Sequence, residues 1–231
     1  MRKLGEALKA AVSEGYEPAE GAAAKSALMN ENRRRVFEYL AWHPCATAGE
    51  VARALAVSDP TASWHLAKLV EAGYAQAARR GSGRGFCASD LGLQESEMSI
   101  WAALSERGAP RALAHVLTTP GLTTGQLAGK MVQRSAGRAL RALREAGLVV
   151  AVVDGRFHRY YPGGAVSAIE RSAPRRLRDF RRRLVRRLER DRLAPEVRMA
   201  PGDILEVDVR FGAERATLRL PAASLLAGRL A

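Results

Sequence analysis

Residues 47–88 constrain the fold more than any other part of the chain, because they carry the start and stop signals of several short elements in a fixed order. Thr47 and Glu50 form a capping box, the signature of a helix N-terminus in which each side chain binds the backbone N–H of the other residue. We therefore predict a short helix over residues 48–55 with its apolar residues on one side.

A second helix is predicted after a tight turn. Asp59 can cap its N-terminus, Pro60 suits the first position because a missing N–H costs nothing there, and Gly73 can end it. The apolar residues that share one face, and are expected in the core, are Ala62, Leu66, Leu69 and Val70. The residues turned outward are then Thr61, Trp64, His65 and Lys68. A helix with an apolar back and such an outer face suits the major groove of DNA.

Residues 75–88 predict a β-hairpin with the sequence RRGSGRG at its tip, where glycines favour a flexible loop. The arginines of this loop can reach a minor groove or the phosphates beside it. A nucleotide-binding glycine loop is the competing interpretation, but Phe86 stands where a third spaced glycine is needed. Helix, turn, helix and hairpin together predict a winged helix-turn-helix. Its predicted DNA contacts are Thr61, Ser63, Trp64, His65, Lys68, Arg79, Arg80, Ser82 and Arg84.

The run SDPTASWHLAKLVEAGY, followed by a hairpin rich in glycine and arginine, resembles the arsenical-repressor (ArsR) type of winged-helix regulator, including its archaeal tandem relatives. The likeness covers about residues 29–91 and implies a prokaryotic regulator that binds DNA as a dimer. Metal-sensing members carry a Cys-x-Cys type of ligand set, whereas the two cysteines here, Cys45 and Cys87, are far apart in sequence. The resemblance therefore does not extend to metal sensing.

The same signals recur farther along the chain. Residues around Thr47 return at a spacing of 76, and residues around Leu66 return at a spacing of 74. The residues that recur in the second copy are Pro120, Thr123, Gly125, Ala128, Leu140, Leu143, Glu145, Ala146 and Gly147. A capping box of Thr123 with Gln126 and a hairpin with Asp-Gly at residues 154–155, suited to a type I′ turn, predict a second winged helix. We place the two missing residues in the turn between its helices.

The second recognition helix, predicted over residues 134–146, carries arginines at i, i+4 and i+7 on one face. Like charges at this spacing destabilise a helix, and phosphate binding relieves that repulsion. The predicted DNA contacts of this copy are Arg134, Ser135, Arg138, Arg141, Arg144, Arg156, His158 and Arg159.

Three amphipathic segments flank the two copies. Residues 1–15 predict a helix that packs on the first copy or makes a dimer contact. Residues 174–193 predict an arginine-rich helix whose apolar stripe packs on the second copy or on a twin, or which contacts the DNA backbone. Residues 205–220 alternate as in a β-hairpin, whose apolar face must be covered because a lone hairpin is marginal in water. Together these surfaces predict a homodimer.

The predicted fold class is mainly α with small β wings, an α+β chain. Its predicted parts are an N-terminal helix and linker (1–28), a first winged helix (29–91), a connecting helix (92–107), a second winged helix (108–168), an Arg-rich helix (169–194), and a C-terminal hairpin with a short helix (195–231).

The net charge of +13, with 37 basic and 24 acidic residues, indicates a polyanionic partner or an acidic surface, although codon bias toward arginine gives the same excess. Two cysteines without framework spacing favour a reducing cytoplasm. No membrane-length apolar run or signal peptide is evident, so we expect a soluble, cytoplasmic, nucleoid-associated protein without membrane contact.

Enzymatic chemistry is not predicted. The four histidines do not cluster with cysteines or carboxylates at metal-ligand spacing, and no Gly-x-Ser-x-Gly motif occurs. We expect no cofactor, no metal and no small-molecule effector. The leading hypothesis is a transcriptional regulator that binds double-stranded DNA. The alternatives are a weakly selective chromatin or replication-origin protein and a winged-helix protein-interaction subunit of a transcription or chromosome complex.

Overall fold

The structure is a computed structural model that describes residues 27–80, 83–131, 133–226 and 230, with side chains for all of these except residues 95, 96 and 133–135. The predicted N-terminal helix and its linker, together with Ser82, lie outside the described residues, as does part of the predicted C-terminal short helix. The side chains of Arg134 and Ser135 do so as well.

The first unit, residues 27–91, contains the elements that the capping and glycine signals predict. Its elements are α1 (Glu31–Trp42), α2 (Ala48–Leu55), α3 (Asp59–Glu71), β1 (Ala75–Arg80) and β2 (Gly83–Ala88), followed by a 3-10 turn (Ser89–Leu91). The capping box of Thr47 and Glu50 is confirmed. The N-cap of α3 is Ser58 and not Asp59, because the Ser58 hydroxyl accepts a hydrogen bond from the Thr61 N–H at 3.2 Å. Serine and aspartate are nearly equal as N-caps, so the sequence did not decide between these neighbours.

The core of the first unit confirms most of the predicted facing. The buried face of α1 consists of Val36, Phe37, Leu40 and Ala41. On α3, two orientations were predicted wrongly, since His65 is buried and Val70 is 38% exposed. The buried stripe is Ala62, His65, Leu66 and Leu69. These positions are i, i+3, i+4 and i+7, the regular spacing of one helical face, which Val70 does not share.

The second unit, residues 109–162, repeats this order of elements. It contains α5 (Ala109–Thr118), β3 (Leu122–Thr123), α6 (Thr124–Lys130), α7 (Gln133–Glu145), β4 (Val149–Asp154) and β5 (Phe157–Pro162). The capping box of Thr123 and Gln126 is confirmed. Asp154 pairs with Phe157, so the loop residues of the hairpin are 155 and 156, one residue later than predicted.

Helix α6 has 7 residues where α2 has 8. Val132, between α6 and α7, lies outside the described residues, so the predicted shortening of the turn by two residues stays a prediction. The turn of the first unit passes through Ala56 in the left-handed region, whereas Met131 of the second is extended.

Helix α4 (Glu95–Leu104) lies between the two units. It contacts β1 of the first unit and α5 and α7 of the second, and Met98, Trp101 and Leu104 are buried in these contacts. The connecting segment thus forms part of the core.

Helix α8 (Gly164–Arg190) begins directly after β5 and continues across residues 168 and 169, where we predicted a boundary. Its predicted apolar stripe is buried and consists of Leu177, Phe180, Leu184 and Leu188. The helix packs on the 3-10 turn of the first unit. The prediction that the stripe packs on the second unit or on a twin is therefore wrong.

The C-terminal residues form an antiparallel sheet of β6 (Glu196–Ala200), β7 (Ile204–Phe211) and β8 (Glu214–Pro221) in that order. Strand β6 was not predicted. Strand β8 lies against α1, where the Trp42 indole N–H donates to the carbonyl of Arg219 at 3.1 Å and the Arg219 N–H donates to Glu38 at 2.7 Å. Since the apolar stripe of α8 and the residues Leu205, Val207, Val209, Leu218 and Leu220 of the predicted hairpin are buried within the chain, neither supplies the free surface from which we predicted a dimer contact. Val197 and Met199 of β6 are exposed.

Candidate nucleic-acid interface

Helix α3 has an exposed outer face, and its opposite face is buried in the core. Ser63 is exposed, Trp64 is 53% exposed, and Thr61 is half-buried beside the N-cap. The Thr61 hydroxyl lies 2.7 Å from the Ser58 hydroxyl, so the first turn is ordered by a second contact. Two hydroxyls and a large aromatic ring are therefore held in a defined arrangement on an exposed surface.

His65 lies beneath this surface rather than on it. Its ring packs edge-on against that of Trp64, with 4.9 Å between ring centroids. Burial, and then the nearby charge of Arg33, lower the pKa of His65, which favours the neutral imidazole at neutral pH. His65 is therefore placed to support Trp64, and its buried position does not suit direct DNA contact.

Lys68 is half-exposed and pairs with Glu71 at 2.8 Å. Exposed ion pairs contribute little to stability, so a phosphate can replace the glutamate as the partner of this lysine at small cost. With that pair formed, the outer face of α3 carries almost no net charge. Such a face suits hydrogen bonding and shape-dependent contact better than general attraction to phosphates.

The hairpin β1–β2 carries free arginines at its end. Arg79 and Arg84 are direct cross-strand partners, and both are exposed. No ion pair within the described part of the chain includes either of them. Like charges directly opposite one another in a sheet are destabilising, so an anion bound between them would relieve repulsion.

Arg80 occupies a different environment from the one predicted. Its guanidinium donates to both carboxylate oxygens of Glu50, at 2.6 and 3.2 Å, and to the carbonyl of Cys45 at 3.2 Å. Glu50 also accepts the N–H of Thr47 in the capping box. Arg80 therefore fastens the hairpin to the start of α2 and is not a loop arginine available to phosphate.

Helix α7 of the second unit has the predicted two faces. Ala136, Leu140 and Leu143 are buried, whereas Arg138, Arg141 and Arg144 are exposed. Among the described residues, the only ion-pair partner of these three side chains is Glu106, 3.9 Å from Arg138. Arg141 and Arg144 line a surface cleft of about 240 Å³ together with Tyr160 of β5. This helix therefore presents three arginines with little or no compensation.

The arginines of the hairpin β4–β5 are less available to DNA than the sequence predicts. Arg159 pairs with Asp154 and donates to the carbonyl of Gly121 at 3.2 Å, and Arg156 lies over the Phe157 ring at 5.0 Å. His158 is exposed. The exposed apolar residues of this hairpin are Val150, Val152, Val153 and Phe157.

Asp90 is the centre of an interaction that the sequence did not indicate. Arg187 of α8 donates to both of its carboxylate oxygens, at 2.9 and 3.2 Å, and Arg183 donates to its carbonyl at 2.9 Å. The Tyr74 hydroxyl donates to Asp191, just beyond α8, at 2.6 Å. Burial, followed by the hydrogen bond to Asp191, raises the pKa of Tyr74 and keeps this hydroxyl a donor. These contacts fasten α8 to the end of the first hairpin.

The described residues contain no group of three or more metal-ligating side chains, and none of their helices is long and apolar enough to span a membrane. Cys45 and Cys87 are both buried, and burial raises the pKa of the Cys87 thiol to about 11.

The region from α1 to the end of α3 also matches a known family. A family model described as a helix-turn-helix domain matches residues 28–73. Residues 28–73 form a helix-turn-helix DNA-binding domain. No curated protein and no solved structure matches the chain. The helix-turn-helix domain ends at the glycine that terminates α3, so the match does not include the hairpin or the second unit.

Proposed function

We propose that the chain is a transcription regulator that binds double-stranded DNA through two winged helix-turn-helix units, at residues 29–91 and 108–168. The observation that carries this proposal is the outer face of α3, where Thr61, Ser63 and Trp64 stand on a helix packed against the core. Hydroxyl groups can bind base edges, and an apolar ring can contact a thymine methyl group.

The second unit supports the tandem arrangement. It repeats the order of helices and hairpin of the first unit, and Arg138, Arg141 and Arg144 stand where phosphate contacts are expected. The relation to ArsR-type regulators also belongs to this proposal, and it rests on the run around α3 and the glycine- and arginine-rich hairpin. On this proposal the chain works as a regulator without catalysis, cofactor or metal, on nucleoid DNA in the cytoplasm.

We further propose a homodimer, for which residues 1–15 provide the remaining amphipathic sequence. A two-fold dimer implies an inverted-repeat site with half-sites one or more helical turns apart. Light scattering on the full chain and on a variant that lacks residues 1–15 tests this proposal. A dimer that becomes a monomer on truncation is expected, and a monomeric full chain at micromolar concentration would exclude it.

The second candidate function is a weakly selective chromatin or replication-origin protein. The arginine face of α7 favours it, because contacts between arginines and phosphates carry no sequence information. Capture of genomic fragments by the full chain, followed by sequencing and competition with random DNA, separates the two functions. A regulator is expected to prefer its site by about 10³-fold or more, whereas near-equal binding favours the chromatin function.

The triple variant T61A/S63A/W64A is the matched control for this experiment. It leaves the buried stripe of α3 and the arginines of α7 unchanged, so it should retain binding to random DNA while losing the preference for the captured site. If the variant kept the full preference, α3 would not be the reading element.

A further inference from the structure

Helix α8 carries an outer row of arginines that its packing leaves free. The arginine ridge consists of Arg171, Arg175, Arg178, Arg182 and Arg186, spaced by 4, 3, 4 and 4 residues along the helix. This spacing places all five on one face, opposite the buried stripe. All five are exposed.

Other arginines of α8 bind residues of other elements, which distinguishes them from the arginines of the ridge. Arg176 pairs with Glu97 of α4, and Arg183 and Arg187 bind Asp90 of the first unit, so these three hold the helix on α4 and on the first unit. In the ridge, Arg182 pairs with Asp179 at 2.9 Å. The side chains of the four other ridge arginines make no ion pair or hydrogen bond with any described residue. Glu189 is exposed on the same face, one turn beyond Arg186 at the C-terminal end of the ridge.

The helix also connects the two candidate DNA-binding units. At its N-terminus, the Ala165 N–H donates to the carbonyl of Gly147 at 3.2 Å, at the end of the second recognition helix. At its C-terminus, Arg187 binds Asp90 beside the first hairpin. With 27 residues the helix is about 40 Å long, and the ridge covers about 22 Å of it. Over the length of the ridge, about 22 Å, duplex DNA carries about 13 phosphate charges.

Two features of α8 favour DNA over other acidic partners. A helix that lies on a membrane needs an exposed apolar face, and the apolar stripe of α8 is buried against the first unit. Protein interfaces depend on buried apolar or aromatic anchors, and none of the large apolar side chains exposed on the described part of the chain belongs to α8.

We propose that the arginine ridge of α8 is a third DNA-binding surface, which contacts the phosphate backbone of the duplex alongside the two winged units. The inference rests on the proposed function, since it takes the same duplex as the partner. It assigns sequence-independent affinity to a helix outside both helix-turn-helix units, and so it extends the DNA site beyond their recognition helices.

The test is the salt dependence of binding to a random duplex of about three helical turns, roughly 30 base pairs. The ridge variant R171Q/R175Q/R178Q/R186Q removes the four unpaired charges. Glutamine has a helix propensity similar to that of arginine, so the helix should be retained. The matched control, R35Q/R107Q/R111Q/R215Q, removes four exposed charges elsewhere on the chain. Dissociation constants are measured between about 50 and 200 mM salt.

The ridge variant is expected to reduce the slope of log affinity against log salt by about three to four, since each phosphate contact contributes about 0.9. The control should change the slope by less than about one. The milder variant R175Q/R178Q should give about half the reduction, and R171K/R175K/R178K/R186K should keep the slope because the charge is retained. Circular dichroism checks that each variant is folded.

Three outcomes would overturn the inference. A ridge variant with the wild-type slope would show that the ridge does not contact phosphates, as would an equal reduction by the control. Loss of binding to phosphatidylserine vesicles with unchanged DNA binding would assign the ridge to a membrane surface. Failure of the proposed function looks different, because the wild-type chain would then bind no duplex at any salt concentration.

Discussion

The first and second units share an order of elements but differ in what they expose. At the spacing of 74 residues, Ser63 corresponds to Gly137, Trp64 to Arg138, and exposed Val70 to Arg144. Both helices keep a buried alanine and leucine stripe, because each must pack on its own unit. The core fixes the position of each helix, whereas its outer residues are free to differ. On the proposed function, this difference separates recognition of bases from attachment to phosphates.

The capping boxes extend this comparison to the hairpins. Glu50 caps α2 and also binds Arg80 of the first hairpin, so the hairpin is held by a charged pair whose side chains are 16% and 17% exposed. Gln126 caps α6 as a neutral side chain. In both units the hairpin also pairs with the segment before the capping box, Ala46 with Phe86 in the first and β3 with β5 in the second, and in the second Arg159 on the carbonyl of Gly121 takes the place of the charged pair.

The largest expected effects are on the free energy of unfolding, and they test whether the cores of the two units are equivalent. Leu66→Ala and Leu140→Ala each remove a buried leucine from equivalent positions and should each destabilise the fold by about 2 to 5 kcal/mol. Urea unfolding followed by circular dichroism measures both. Lys68→Ala, on the exposed face of the same helix, is the control and should change stability by less than about 0.5 kcal/mol. A larger loss from Lys68→Ala than from Leu66→Ala would invert the assigned faces of α3.

The next effect concerns affinity and tests the second unit. The variant R138Q/R141Q/R144Q should reduce the slope of log affinity against log salt by about 2.7, because three phosphate contacts are lost. The reduction should be the same for a captured site and for random DNA. Fluorescence anisotropy over a range of salt concentrations gives the slope. A loss confined to the captured site would mean that α7 also reads bases.

A smaller effect should appear at the first unit. Trp64→Ala should reduce the preference for the captured site by about 1 to 3 kcal/mol and leave the salt slope unchanged, because the ring carries no charge. Trp64→Phe is the control, since it keeps an aromatic face on α3. Equal weakening toward captured and random DNA would contradict the proposed division between the units.

The smallest effect is a difference in pH dependence. The pKa of buried His65 is lowered on folding, so the unfolded chain binds a proton below about pH 6.5 that the folded chain does not, and stability falls as the pH falls. Ala139 occupies the equivalent position in the second unit. His65→Leu should reduce the loss of melting temperature between about pH 7.5 and about pH 5.5, because leucine does not titrate. An unchanged or larger loss would show that other groups dominate the acid sensitivity.

The sequence predicted the features that depend on near neighbours. Both capping boxes and the stripe of α8 follow from residues within a few positions of one another. The errors at His65 and Val70 came from ranking residues by hydrophobicity rather than by angle around the helix. The second copy of the repeat indicates the correct orientation, because Ala139 is equivalent to His65 and Arg144 is equivalent to Val70.

Long-range contacts could not be predicted in this way. Arg80 lies 30 residues from Glu50, and Arg187 lies 97 residues from Asp90. Each carboxylate had many arginines available to it in this basic chain, and no local spacing selects one of them. The docking of α8 on the first unit depends on this choice of partners, and for that reason its apolar stripe was predicted but its location was not.

The closing of β8 over α1 has a consequence for how the protein is made. Glu38 and Arg219 are 181 residues apart, so α1 leaves the ribosome long before the strand that covers it. At about 5 to 20 residues per second, that interval is roughly 10 to 35 seconds. Throughout this time, the side of α1 that meets β8 has no strand against it. The newly made helix-turn-helix domain therefore passes through a period in which a chaperone can bind it, and that period ends only when β8 has been synthesised.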